Sequence, residues 1–206
     1  MNTIDINSNP GLEQIIQFIV EIDKVKQIFR QSKLFDGRRF ENDAEHSWTV
    51  CIMALLLKEY ANFHVDVSKI ITMLLIHDIV EIDAGDTFLY SEKRNTIHSE
   101  EEKAAERIFG LLGNEQKNYL MDMWQEFEEQ KTNEAKFAVV FDRMEPLLQN
   151  YLTEGYTWKK HGITYDMIIE KNRHIKEAST ELWEFIVSLL DRAVEKGYLE
   201  KQGDKV

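Results

Sequence analysis

Residues His77 to Asp86 carry five groups capable of chemistry, His77, Asp78, Glu81, Asp83 and Asp86, directly after the apolar run Ile70–Ile76. Burying ionisable groups is costly unless they are paired or bound to a cation. An adjacent His-Asp at the end of a core helix therefore points to a metal ion. Helix geometry puts His77 and Glu81, four apart, on one face, with Asp78 about 100° round. Further ligands are available on other helices. Glu41-Asn-Asp-Ala-Glu-His46-Ser-Trp48 opens a second apolar helix, and Phe137-Ala-Val-Val-Phe-Asp142-Arg-Met-Glu-Pro146 buries an aspartate in a third. His46, His77, Asp78 and Asp142 make a nitrogen and oxygen donor set without sulfur. Such a set admits Mn, Co, Fe, Ni, Zn or Mg, and intrinsic affinities do not choose among them.

The elements that would position these groups read as helices throughout. The chain has two prolines and nine glycines, apolar residues recur at helical spacing, and no stretch sustains a period of two, so no sheet is expected. Asn9-Pro10 starts a first helix running to about Arg30, with Leu12, Ile15, Ile16, Ile19 and Ile22 inward. Lys33 to Glu41 reads as a loop around Asp36-Gly37. Asn42 and Glu45 form a capping box for a second helix, Asp43 to about Tyr60. A third helix is expected from Asp66 or Ser68 to about Ile82, then a loop from Thr87 to Ile97. Further helices follow over Ser99–Leu112, Glu115–Glu128 and, capped by Thr132, on to Leu152. Pro146 lies inside that one and frees the carbonyl of Asp142. A last helix, about Thr164 to Lys196, carries Ile175, Ala178, Leu182, Phe185, Ile186, Leu189 and Val194 on one stripe. The expectation is an all-α, single-domain helical bundle of about six to seven helices over residues 1–206, with a motif core at about 30–152 and a loose tail at 198–206.

Bulk properties narrow the function. Hydrophobic residues at 43% and charged residues at 30% suit a water-soluble globular chain of 206 residues. The most apolar stretches, Cys51–Leu57 and Ile70–Ile76, are too short to span a bilayer. No secretory signal is read at the N-terminus, and a lone cysteine fits a reducing compartment, so a cytoplasmic, membrane-free protein is expected. Cys51, five residues after His46, reads as core rather than ligand. A net charge of −12 argues against binding a nucleic-acid polymer but not against a small phosphorylated substrate, which meets local cations.

The order His46, His77-Asp78, Asp142, with the Glu-His-Ser-Trp and HDxxExxxGD contexts, resembles the HD superfamily of metal-dependent phosphohydrolases. The likeness is greatest to the subgroup of bacterial 5'-deoxynucleotidases and the HD-domain-containing protein 2 type, from about Arg30 to Tyr151. A lone histidine on an apolar face is more simply a hydrogen-bonded core residue; four residues in family order favour a metal site. The resemblance implies one divalent ion, because only His98 lies between Asp78 and Asp142. It places Glu81 as general acid or base, with a carboxylate orienting a histidine ligand as the alternative. Asp86 falls at a position near the sugar and catalytic water, or caps a loop. Arg39 matches an arginine ahead of the Glu-Asn-x-x-Glu-His stretch and Arg30 a phosphate-contacting one; either could instead be a surface ion pair. Gln31 stands where the deoxynucleotidases carry Trp, so deoxyribose selectivity is not carried over. Asp83 reads as a solvated helix-end charge. The implied activity is phosphate release from nucleoside 5'-monophosphates or a similar small phosphomonoester. The alternatives are hydrolysis of a phosphodiester, nucleoside triphosphate or alarmone pyrophosphate, and a non-enzymatic metal-stabilised nucleotide-binding module. A homodimer is expected from such relatives.

Overall fold

The computed structural model describes residues 9–91 and 94–201. Helix α1 (Pro10–Ile22) begins as expected: Asn9 Oδ1 accepts from the amides of Gly11 and Leu12, and Pro10 fills a first-turn position that needs no donor. The helix ends eight residues early. A 3-10 segment, Asp23–Gln27, leads into β1 (Phe29–Lys33), which pairs antiparallel with β2 (Phe40–Asn42). This hairpin corrects the reading of helix to Arg30 followed by loop. Strands of five and three residues are too short to show a period of two, and their pairing is a tertiary fact. Its effect is to turn Arg30 onto the helices that follow.

Helix α2 (Asp43–Leu57) opens with the full capping box: Asn42 Oδ1 accepts from the Glu45 amide and the Glu45 carboxylate from the Asn42 amide. Helix α3 (Val67–Ile76) is capped by Asp66 and stops one residue before the His-Asp pair. His77–Val80 is a 3-10 turn, followed by the short α4 (Glu81–Ala84) and by Gly85 at φ 76°. The expected continuous helix to Ile82 is thus broken at the chemistry. Over four residues a 3-10 turn rotates about 120° past its start where an α-helix rotates about 40°. Glu81 therefore does not share the face of His77.

Helices α5 (Arg94–Phe109), α6 (Asn114–Glu129) and α7 (Asn133–Leu152) follow, with Pro146 inside α7. The single last helix of the sequence reading is instead α8 (Tyr156–His161), α9 (Tyr165–Asn172), α10 (Ile175–Ala178) and α11 (Thr180–Glu195). The break before α11 lies at Ser179, whose extended backbone (φ −153°, ψ 110°) ends one helix and whose hydroxyl caps the next. The protein is all-α apart from the small hairpin, with more and shorter helices than expected.

Helix α7 is the centre. Its Phe137, Ala138, Val140 and Phe141 are fully buried against Val50 and Ala54 of α2, Ile70 and Leu74 of α3, and Ile186 and Leu190 of α11. A second apolar cluster joins Ile76, Ile79 and Val80 to Phe18, Ile108, Phe109 and Trp124. The 3-10 turn bridges the two clusters and holds His77 and Asp78 between them. Cys51 is buried as core. Leu12, Ile19 and Phe185, expected inward, are instead exposed. Part of the segment expected to be loose is held: Leu199 is buried and Glu200 accepts from the Tyr165 amide at 2.8 Å. Residues 202–206 lie outside the described residues.

Gly155 follows α7 at φ 74°, and a Cβ there would overlap the Tyr198 carbonyl. Gly155→Ala is expected to cost more than about 1 kcal/mol, read as a lowered Tm, whereas Gly162→Ala, equally left-handed but facing open space, should cost less.

Candidate metal centre

Three elements bring four side chains to one point. The capping box fixes the first turn of α2 and with it His46; the 3-10 turn supplies His77 and Asp78; α7 supplies Asp142. His46 Nε2 lies 3.2 Å from Asp142 Oδ1 and 3.9 Å from Asp78 Oδ2, while His77 Nε2 lies 3.2 Å from Asp78 Oδ1 and 3.7 Å from Asp142 Oδ1. Ligand atoms each about 2.1 Å from a shared ion stand about 3 to 4 Å apart, so the spacing fits. The imidazoles are oriented for it. His77 Nδ1–H donates to the Leu74 carbonyl at 2.9 Å, which turns the buried Nε2 toward Asp78 and Asp142. His46 turns its Nδ1 to Glu145 and its Nε2 to the same point. Among the described residues, His46, His77 and Asp78 also form a group compact enough to hold one ion.

Charge is concentrated around these donors. Arg30 Nη1 meets Asp78 Oδ2 at 2.6 Å and Asp43 Oδ1 at 3.6 Å, and its Nη2 lies 3.8 Å from Asp142 Oδ1. Burial raises the carboxyl of Asp78, but His77 and Arg30 outweigh it and hold the group well below its usual range. Asp142 behaves alike, through Arg143 and the two imidazoles. Burial lowers both histidines; the charge of Asp78 and hydrogen bonds to Asp142 and Asp78 nevertheless push His77 to about 10, and those of His46 to Asp142 and Glu145 push it to about 9. A metal would displace those protons. Burial first, then the charge of Asp78, pushes Asp43 up to about 7, and burial and the charges of Asp78 and Asp43 push Glu81 well above its usual range.

The expected residues fall into place unevenly. His46, His77, Asp78 and Asp142 come together. Glu81 sits beside them but on the Asp43 and Asp78 side, with Oε2 buried and without a hydrogen-bond partner. Asp86 and Arg30 line the cavity that opens from the donors. Arg39 does not: it is half-exposed and grips Glu45 with both Nη atoms, at 2.7 and 2.5 Å, bracing the capping box. Asp83 is an exposed partner of Arg107. The sequence reading missed Glu41, Asp43, Arg143 and Glu145. Glu145 could have been found as the residue one helical turn after Asp142, and Asp43 as the first residue of α2.

The structure thus brings two histidines and two aspartates together in a helical frame beside a cavity, a donor set that fits a metal-dependent enzyme. A model described as the HD domain matches residues 22–183, and the chain belongs to that family. It is an HD-domain metal-dependent phosphohydrolase. Among curated relatives it is similar to 5'-deoxynucleotidase HDDC2 of Bos taurus, 27% identical over 144 residues, 69% of either chain. The protein of the same name from Dictyostelium discoideum is 30% identical over 148 residues, 68% of this chain and 77% of the relative. Among solved structures, a "predicted metal-dependent phosphohydrolase" from Magnetospirillum magnetotacticum MS-1 superposes with a TM-score of 0.91 at 46% identity, covering 96% of this chain and all of the other. Among the described residues, no helix is long and apolar enough to cross a membrane.

The shifts set a pH dependence for the metal-free protein. Asp43 keeps its proton in the folded state to about 7, and Glu41, by burial and the charge of Glu145, to about 8. Unfolded, both lose it near pH 4, so the folded state binds more protons between and stability falls as pH rises. His46 and His77 act in the same direction: their contribution is complete below about pH 6.5 and is lost as pH rises through about 9 and 10. In EDTA, the Tm is expected to fall from pH 6 to pH 9, and added Mn²⁺ to raise Tm more at pH 8 than at pH 6.

Proposed function

We propose that the protein releases inorganic phosphate from nucleoside 5'-monophosphates or closely similar small phosphomonoesters. The observation that carries the reading is Glu81, a buried carboxyl beside the four donors with one oxygen unpartnered, facing a cavity large enough to be lined also by Gln31, Asp86 and Arg143. The names of the curated relatives and of the Magnetospirillum structure support it.

In this reading His46, His77, Asp78 and Asp142 hold one divalent ion, with Mn, Co, Fe, Ni, Zn and Mg all compatible with the donors. When bound, such an ion polarises a phosphoryl oxygen and lowers the pKa of water. Glu81, kept protonated near neutrality by burial and the adjacent carboxylates, donates its proton to the leaving oxygen. Arg30 neutralises phosphate charge from the cavity wall, with a guanidinium suited to two oxygens at once. Asp86, in the cavity lining, orients the sugar or the attacking water. Arg39 acts indirectly, by holding the turn that carries His46. Gln31, whose Oε1 lies 3.5 Å from Lys160 Nζ, lines the cavity with a polar side chain, and the sugar preference is relaxed accordingly.

We further read the chain as a single cytoplasmic domain that pairs as a homodimer. Trp48, Ile52, Leu55 and Leu56 leave an apolar face of α2 uncovered, with Trp48 66% and Leu56 73% exposed. Sedimentation at micromolar concentration should give twice the chain mass; a clean monomer would remove the dimer.

The activity is tested by phosphate release from ribo- and deoxyribonucleoside 5'-monophosphates with Mn²⁺ or Co²⁺, with EDTA and Asp78→Ala as blanks. Metal-dependent release from both sugar series is expected, and Glu81→Gln should lower kcat by about 10²- to 10⁴-fold while keeping metal. Release of pyrophosphate or triphosphate from longer nucleotides, with none from monophosphates, would overturn the monoesterase reading.

A further inference from the structure

Behind His46, on the side away from the other donors, stand two carboxylates that the reaction above does not use. Glu145 is 0% and Glu41 1% exposed, and His46 itself is 0% exposed. Glu145 Oε2 bonds His46 Nδ1; Glu41 Oε2 lies 3.8 Å from the same nitrogen; Glu145 Oε1 has no hydrogen-bond partner. An acidic side chain so deep in the core is a poor packing group, and an apolar residue of similar volume would cost the fold less. What the carboxylate does that an apolar residue would not is accept the Nδ1 proton. An imidazole that donates Nδ1–H to a carboxylate keeps its lone pair on Nε2, gains basicity and cannot rotate.

We propose that Glu145, backed by Glu41, is the positioning residue that fixes His46 with Nε2 toward the metal. Its place follows from helix geometry: three residues after Asp142 on α7, it reaches the rear of the imidazole whose front meets Asp142. One helical turn thus carries both a ligand and the group that orients another ligand. Glu41, at the middle of β2, closes the rear from the hairpin, so the hairpin also takes part in setting the metal's affinity. The inference rests on His46 being a metal ligand and is independent of which phosphorylated substrate is cleaved.

The test uses the full chain and Zn²⁺. In Zn²⁺-loaded wild-type protein, long-range ¹⁵N NMR should show His46 protonated at Nδ1 and metal-bound at Nε2; the opposite arrangement would overturn the proposal. Competition with a chromophoric chelator then gives Zn²⁺ affinity. Glu145→Gln, folded by circular dichroism, is expected to bind Zn²⁺ about 10- to 100-fold more weakly. Unchanged affinity would mean that Glu145 only packs. If His46→Ala lowers affinity and Glu145→Gln does not, this inference alone fails; if neither does, the ligand assignment fails with it. Two ions per wild-type chain, one lost with Glu145→Gln, would make Glu41, His46 and Glu145 a second ion site and overturn the positioning role. If Glu145→Gln does not fold, the wild-type tautomer decides alone.

Discussion

Everything in this structure depends on the unfavourable burial of acidic groups where α2, α7 and the His77–Val80 turn meet. Glu41, Asp43, Asp78, Glu81 and Glu145 are all buried, with Asp142 beside them, and Arg30 and Arg143 are cations set against them. Such a cluster cannot all be ionised without cations, so the metal-free protein holds protons on the imidazoles and on Asp43, Glu41 and Glu81. A divalent ion held by His46, His77, Asp78 and Asp142 would take over the role of the imidazole protons. The same arrangement that makes the metal-free fold costly would favour a cation at the centre.

The helical frame supplies rigidity at the points where it is needed. The Asn42–Glu45 capping box, gripped from outside by Arg39, locks the turn that carries His46. The long α7 presents Asp142 and Glu145 from one turn to the two ends of the His46 interaction. The break from α-helix to 3-10 turn after Ile76 turns His77 and Asp78 toward Asp142 and His46 and rotates Glu81 toward Asp43. A continuous helix would have stacked Glu81 with His77; the tighter turn sets the two on separate faces.

Much of this was legible in the sequence. Helix starts at Asn9-Pro10, Asn42 and Thr132 are written in local hydrogen-bonding chemistry, and the convergence of His46, His77, Asp78 and Asp142 in residue types that a core does not otherwise tolerate. What was not legible depends on contacts between distant segments. The hairpin owes its existence to β1 meeting β2, the 3-10 turn to Ile76, Ile79 and Val80 being drawn into the second apolar cluster. The break at Ser179 answers to the Tyr60 carbonyl, to which its hydroxyl donates at 2.7 Å. Leu12, Ile19 and Phe185 lie on amphipathic stripes, yet periodicity identifies an apolar face without saying what covers it. Arg39 shows the same limit for charge: its position in a motif was readable, its Glu45 partner was not.

The claim on which the rest stands is that His46, His77, Asp78 and Asp142 bind one divalent ion. A crystal structure of the protein grown with Mn²⁺, with diffraction recorded on both sides of the manganese absorption edge, tests it directly. One anomalous peak is expected, within coordination distance of both Nε2 atoms and both aspartates. No peak there, or a peak at His98, Glu101 and Glu128 in its place, would contradict the account.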